Sequence, residues 1–359
     1  MIGNDDALNS QDVNKWYGSI EALHRVNLIW ERGKITSILG PSGSGKTTLG
    51  EIFAGLVRPD QGKIFMGRED VTSWKPDRRK VALMPQEWEL FPHMTALENI
   101  GFGLWASGVP KRTRDERSRA LLLTVGLADR EQAFPQELSG GQQQRIALAR
   151  ALAAPNPFIV LDEPFSSIDQ DTRGLLRNLL IAESHQRRGI LLITHDRADA
   201  LMLSDTIHCL TCGRLVMSGT PKQVYSAPVS LQAALLTGAA SLIPLACNKT
   251  FSDAAVRIDR DSRRAPLPLM RSQPSPQLEY NEHACAIVRP EWLQIAKDGE
   301  FHLLGKVSSS SYSGGYYVVT FQDASSVQYQ AYLNQDIQIG TYVPLCIKEG
   351  IELPVVLNN

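Results

Sequence analysis

The sequence predicts an α/β fold, a parallel sheet covered by helices, followed by a small all-β domain. Three observations lead there. From Lys34 to about Met217, short β-rich runs alternate with longer helical ones, the pattern of strands joined by helical crossovers. After about Gly238 the helical periodicity fades and short alternating strands such as YYVVTF and VQYQAYL take over. The length, 359 residues, exceeds what one ordinary core fills, so two domains are expected, 1–238 and 239–359.

The elements follow in order. The apolar runs ITSIL, FIVL and ILLI, and the pair IHCL and RLVM, read as strands. The run from Lys111 to Val125 is charged first and leucine-rich afterwards and ends at Gly126, a helix with its stop signal. A second helix, Gly141 to Ala153, follows an LSGG turn. In the second domain a Pro-rich segment, APLPLMRSQPSPQ, precedes the strands, and the Ser/Gly/Tyr cluster from Ser308 to Tyr317 reads as a hairpin.

Composition narrows the function. With 37 basic and 38 acidic residues the formal net charge is -1, which is not the electrostatic footprint of a nucleic-acid-binding protein. No stretch approaches the roughly 18 apolar residues a bilayer-spanning helix needs, and Met1 to Gln11 is acidic and polar, so a cytoplasmic location is expected. Five scattered cysteines suit a reducing compartment, and the CxxC of Cys209 and Cys212 falls in a strand-turn-strand, where two small apolar side chains near a turn is the favoured reading.

The chemistry begins at Gly40-Pro41-Ser42-Gly43-Ser44-Gly45-Lys46-Thr47, a P-loop pattern that follows the strand ITSIL and opens, with Thr48, into the helical run TTLGEIFAGL. Glycines let backbone amides curl round phosphates, the helix N-terminus adds donors and a positive dipole end, and Lys46 neutralises phosphate oxygens. Thr47 is a candidate magnesium ligand. The strand FIVL ends in Asp162-Glu163, where a parallel sheet presents ligands at its carboxyl edge. Two adjacent carboxylates can divide the labour: Asp162 for Mg2+, and Glu163 to orient or deprotonate the water that attacks the γ-phosphate of ATP.

Leu138-Ser139-Gly140-Gly141-Gln142 resembles the signature motif of the ATP-binding cassette (ABC) transporter family, and the resemblance extends from about Lys15 to Pro244. It implies a P-loop NTPase cassette with a helical subdomain at about 87–155. On that resemblance Tyr17 is the aromatic platform for adenine, and Gln86 senses the γ-phosphate, touches the metal and meets the membrane subunits. Ser139, Gly140, Gly141 and Gln142 hold the nucleotide of the partner subunit, Asp169 reaches across to the opposing P-loop, and His195 is the switch histidine. Ile168 and Gly50 stand where leucine and a longer side chain are more common.

The resemblance further implies a homodimer with each ATP clamped between one P-loop and the partner's signature, driving transport at the cytoplasmic face of the inner membrane. Its partners would be transmembrane permease subunits and, indirectly, a periplasmic or extracellular substrate-binding protein. Trp88, Phe91 and Met94 in QEWELFPHMTALENIGFGL are expected on the permease-docking surface. IVRPEWLQIA resembles a segment of the OB-like tail of importer cassettes for ferric iron, polyamines, sulfate, molybdate and sugars, and LTGAASLIP resembles most the ferric-iron and polyamine cassettes, of which ferric iron is ranked first. The tail is read as structural, with anion or partner binding as the alternative. An exporter motor and a soluble cassette acting on nucleic acid or ribosomes are the competing functions, and the absence of a second cassette or long coiled coil weighs against the latter.

Overall fold

Uninterrupted branched apolar runs suit strands buried on both faces, and the computed structural model, which describes residues 6–244, 255–256, 267–268, 284–297, 301–324 and 326–357, builds its main sheet from them. The chain divides into two units, Met1–Pro221 and Lys222–Asn359.

The first unit opens with a long hairpin, β1 (Ala7–Tyr17) and β2 (Ile20–Glu31), then the core strand β3 (Ile35–Leu39) and the helix α1 (Lys46–Ala54). The short strands β4 (Gln61–Met66) and β5 (Glu69–Asp70), the single-turn helix α2 (Pro76–Arg79) and β6 (Val81–Met84) come next. Three helices, α3 (Ala96–Ala106), α4 (Lys111–Thr124) and α5 (Gly140–Ala153), precede β7 (Phe158–Asp162). The unit continues with α6 (Gln170–His185), β8 (Gly189–Thr194), α7 (Arg197–Leu203), β9 (Thr206–Thr211) and β10 (Arg214–Gly219).

Two sheets result. The main one has the order β10-β9-β3-β8-β7-β6, parallel except for β10. An antiparallel sheet, β2-β1-β4-β5, lies outside the sequence-based expectation. Its two long strands are bulged, with Asp12 and Arg25 in the left-handed region (φ 47° and 45°), so period-2 alternation breaks where it would have been read. Side chains repair the interrupted ladder: the Asp12 amide donates to Asn27 Oδ1 and the Arg25 amide to Asn14 Oδ1, both at 2.9 Å.

The central strands of the main sheet, β3, β7 and β8, are buried on both faces. Ile159 and Leu161 of β7, with Ile190 and Leu192 of β8, join a cluster with Ile146 and Leu148 of α5. Phe158, Val160, Leu191 and Ile193 face the other way, onto Trp30, Leu49 and Phe53. Each such side chain contributes about 1.5–3 kcal/mol on burial. Gly50 is explained here: a Cβ at that position would lie 2.6 Å from Ile193 Cδ1 and 3.0 Å from Val160 Cγ1, so the absent side chain lets α1 settle onto the sheet.

His208, inside β9, is buried and pairs through Nδ1 with Ser218 Oγ on β10 at 2.7 Å. Burial lowers its pKa to about 4, with the Ile29 backbone acting in the opposite sense. A folded value below the unfolded value of about 6.5 means that unfolding takes up a proton as the pH falls. Stability fully present above pH 6.5 is therefore lost as the pH drops toward 4, by on the order of 3 kcal/mol. Chemical denaturation of wild type and His208→Gln at pH 7 and pH 4.5 checks this. The acid-induced loss is expected to be smaller in the variant, and equal losses would clear His208 of the effect.

The second unit takes in the helices α8 (Pro221–Ser226) and α9 (Leu231–Thr237), and after them the regular elements among its described residues are strands apart from one 3-10 turn, Pro290–Trp292. Its strands are β11 (Ser241–Pro244), β12 (Ala255–Val256), β13 (Leu267–Pro268), β14 (Ala284–Val288) and β15 (Leu293–Ile295). After these come β16 (Leu303–Tyr312), β17 (Tyr317–Gln322), β18 (Gln328–Leu333), β19 (Tyr342–Ile347) and β20 (Val355–Leu357). An antiparallel five-stranded sheet, β15-β19-β16-β17-β18, and a three-stranded one, β11-β14-β20, give the barrel-like, OB-like domain. The hairpin expected at Ser308–Tyr317 is β16–β17, with Tyr312 opposite Tyr317. Apart from Leu267–Pro268, the Pro-rich run lies outside the described residues.

The division falls at Pro221, earlier than the boundary near 238 expected from composition, because Arg289 binds both helices to the second unit. Its guanidinium is fully buried and spends all five N–H groups within the unit. Nε and Nη2 donate to Tyr225 O at 3.0 and 2.8 Å, Nη1 to Ala234 O and Ala239 O at 3.0 and 3.2 Å, and Nη2 to Thr237 Oγ1 at 2.8 Å. Glu291 bonds the Tyr225 hydroxyl. The Arg-Pro-Glu segment is thus an internal fastening, and Arg289 has no N–H left for an anion.

Candidate functional site

Strand register assembles the site. Leu39 of β3 lies beside Thr194 of β8, Asp162 of β7 beside Ile193, and Met84 of β6 beside Leu161. Gly40, His195, Glu163 and Gln86 therefore emerge from one carboxyl edge of neighbouring parallel strands, where α/β sheets bind ligands.

The phosphate loop is held by close backbone approaches. A Cβ at Gly40 would lie 2.1 Å from the Leu210 carbonyl oxygen, and one at Gly45 (φ 97°) 2.4 Å from that of Ala22, so only glycine fits at either place. The Gly213 amide donates to Ser44 O at 3.1 Å, which sets the β9–β10 turn against the loop. Cys209 is buried inside β9, which pushes its thiol up to about 11, and exposed Cys212 sits in the turn itself (φ 46°), the strand-turn-strand placement expected for the CxxC. Pro41, Ser42 and Gly43 are exposed, and Thr48 lies in the first turn of α1. Lys46 Nζ donates to Gly40 O and Pro41 O, each at 2.9 Å, which curls its ammonium into the loop. Burial lowers its pKa, and the charges of Glu163 and Asp162 oppose that.

The two carboxylates divide as alternation requires. Asp162 shares the face of Phe158 and Val160, that of α1, and accepts a hydrogen bond from Thr47 Oγ1 at 2.6 Å. Burial raises the Asp162 pKa; Thr47 works against this and the Glu163 charge adds to it. Glu163, 8% exposed, turns the other way in the left-handed region, φ 49°. Its Oε1 accepts from the His195 amide at 2.9 Å and lies 2.7 Å from His195 Nδ1, and its Oε2 accepts from Thr194 Oγ1 at 3.3 Å. The His195 side chain is 61% exposed, so the imidazole leans from a buried carboxylate toward the open edge of the sheet.

The remaining predicted residues occupy helix starts and a strand end. Ser139 caps α5: its side chain accepts from the Gln142 amide while Gln142 Oε1 accepts from the Ser139 amide at 2.9 Å, a capping box. Gly140 and Gly141 open that helix, and a Cβ at Gly140 would lie 3.2 Å from the Trp88 ring. Asp169 caps α6, and the Thr172 amide hydrogen bond that it accepts lowers its pKa. Gln86 is exposed beyond β6. Tyr17, 48% exposed, ends β1, on the hairpin whose Ala22 abuts Gly45. Among the described residues no hydrogen bond joins Tyr17, Gln86, Ser139–Gln142 or Asp169 to the phosphate loop or the two carboxylates.

Several contributors carry no motif. Thr194 and Gln144 bond Glu163, and Arg173 on α6 bonds Phe165 O at 2.9 Å and Asp196 Oδ2 at 2.8 Å, bracing the residues after Glu163 against the residue after His195. Trp88 departs from the expected docking role: it packs into the helical core against Gly140, in a left-handed turn whose carbonyls at Trp88 and Glu89 are held by Arg150. The aromatic surface that remains is Phe91, Phe102 and Trp105, with ring centroids 4.4 and 5.6 Å apart and Trp105 60% exposed.

A glycine loop closing on a helix N-terminus beside an Asp-Glu strand end makes this a P-loop ATPase, with the loop and the paired carboxylates on one sheet edge. The family pattern described as ABC transporter matches residues 23–166. The Fe(3+) ions import ATP-binding protein FbpC of Rhizobium etli is 38% identical over 309 residues, 85% of each chain. The protein of that name from Escherichia coli is 35% identical over 314 residues, 87% of this chain and 86% of its own. A dimeric ATP-binding cassette solved in a post-hydrolysis state with ADP and phosphate covers 60% of this chain and 98% of its own, with a TM-score of 0.56 and 30% identity. The chain belongs to the ABC transporter family, as one of its ATP-hydrolysing subunits. Among the described residues no helix is long and apolar enough to cross a membrane.

Proposed function

We propose that the chain powers import of ferric iron, working as a homodimer on the cytoplasmic face of the membrane beside separate permease subunits. The observation that carries this is identity of 35–38% to Fe(3+) import ATP-binding proteins over 85–87% of the chain, a span longer than the cassette alone. The dimeric cassettes among similar structures support the paired arrangement. The Phe91–Phe102–Trp105 surface is the permease contact.

In this reading Tyr17 stacks on adenine, Lys46 and the loop amides bind the phosphates, and Ser139 and Gly141 donate to the γ-phosphate held by the partner. Thr47 Oγ1 and Asp162 Oδ2, 2.6 Å apart, are hard oxygen donors of the kind Mg2+ takes when substrate phosphates complete its shell, with Gln86 at the same sheet edge. Bound there, Mg2+ would neutralise charge developing on the phosphate oxygens. Glu163 accepts the proton of the attacking water. His195, its Nδ1 side committed to Glu163, turns Nε2 to the γ-phosphate. Asp169 reaches toward the opposing phosphate loop.

The test is reconstitution in proteoliposomes with candidate permease subunits and substrate-binding proteins from the same organism. ATPase stimulation is expected with ferric-loaded binding protein. Stimulation only by a polyamine-, sulfate-, molybdate- or sugar-loaded one would replace iron as cargo, and failure to associate with any permease would overturn the transport reading.

A further inference from the structure

Non-glycine residues take up left-handed backbone only where their surroundings impose it, and Glu163 is such a residue, φ 49°. Part of that imposition comes from Gln144, a fully buried side chain on α5. Its Nε2 donates to the Glu163 carbonyl at 2.8 Å and to Ser166 Oγ at 3.0 Å, and its Oε1 accepts from the Ser167 amide at 2.9 Å. One amide thereby grips three points of the segment that leaves β7. The helix touches this segment again one turn earlier, since a Cβ at Gly141 would lie 2.9 Å from the Ser167 carbonyl oxygen. Both contacts lie on the first turns of α5, whose cap is Ser139. Neighbouring turns of a hydrogen-bonded helix move together, so a shift of Ser139–Gly141 reaches Gln144, and through Gln144 the backbone of Glu163.

We propose that Gln144 is a positioning residue that couples the two nucleotide sites of the dimer: through it, the nucleotide held by a protomer's signature segment for its partner sets the place of that protomer's own Glu163. This rests on the paired-site reading above. Gln142 and Gln143 do not share the role, because Gln142 closes the capping box and Gln143 bonds Pro135 O and Leu138 O.

Full-length wild type, Gln144→Met and Ser166→Ala are compared for ATP turnover against ATP concentration, equilibrium ATP binding and thermal midpoint. Methionine keeps the volume of Gln144 and removes its hydrogen bonds, while Ser166→Ala removes only the branch to Ser166 Oγ. Per folded molecule, Gln144→Met is expected to lose about tenfold or more in kcat with ATP affinity changed by less than about twofold. Wild type is expected to show a Hill coefficient above one, and Gln144→Met a Hill coefficient of one. Ser166→Ala is expected to keep kcat within about twofold and to remain cooperative. A Gln144→Met chain that stays cooperative, or loses activity only in proportion to unfolded protein, overturns the coupling and leaves the dimer standing. Equal losses in Ser166→Ala would overturn the assignment to the Glu163 tie. A wild type with a Hill coefficient of one and no ATP-dependent dimer would overturn the paired-site reading itself, and the coupling with it.

Discussion

Glu163→Gln is expected to bind ATP and to release phosphate about 10²–10⁴-fold more slowly than wild type, the range supplied by a positioned general base. The substitution keeps the shape of the side chain and an oxygen that accepts from the His195 amide, so the turn at φ 49° and the position of His195 stay in place. It removes the charge and basicity that a γ-phosphate-directed water requires. Nucleotide binding survives because the loop amides, Lys46 and Thr47 are untouched, and in the paired arrangement ATP-bound chains accumulate as dimers on size-exclusion chromatography. Near-normal turnover would take the basic role away from Glu163 and leave it a structural partner of His195.

Arg289→Met is expected to destabilise the second unit by about 3–5 kcal/mol, since buried acceptors that lose their donor cost roughly 1–3 kcal/mol each. Methionine fills most of the volume but withdraws the donors that Arg289 gives to Tyr225 O, Ala234 O, Ala239 O and Thr237 Oγ1, of which Ala234 O keeps the Gly238 amide. The damage is local: α8 and α9 lose their fastening. Amide hydrogen exchange should show Leu231–Thr237 losing protection, together with a lower denaturation midpoint of the full chain. A loss under about 1 kcal/mol would mean that apolar packing alone holds these helices.

Both residues bear on how much the sequence discloses. Strands buried on two faces, the phosphate loop and the signature turn are legible because their chemistry is local: a few consecutive residues contain the glycine, the charge and the cap that the geometry needs. The groups that place Glu163 are not local. Gln144 is 19 residues from its partner, Thr194 31 residues, and Arg173 23 residues from Asp196, and each alone is an ordinary polar side chain. The unit boundary was hidden likewise, since Arg289 holds Tyr225 from 64 residues away. Trp88 misled by composition: an aromatic in a loop resembles surface, and only the missing side chain of Gly140 reveals the slot that receives it.

The wedging of Gly40 under Leu210 and of Gly45 against Ala22 has a thermodynamic corollary. Two different sheets grip the cradle, so its backbone freedom is surrendered when the polypeptide folds, and the triphosphate meets a socket already frozen into shape. Little ordering entropy is left to oppose association. Gly43 stands free of such neighbours, with nothing within 4 Å of its would-be Cβ, so between the two wedged glycines it is the left-handed backbone, φ 76°, and not crowding that favours glycine.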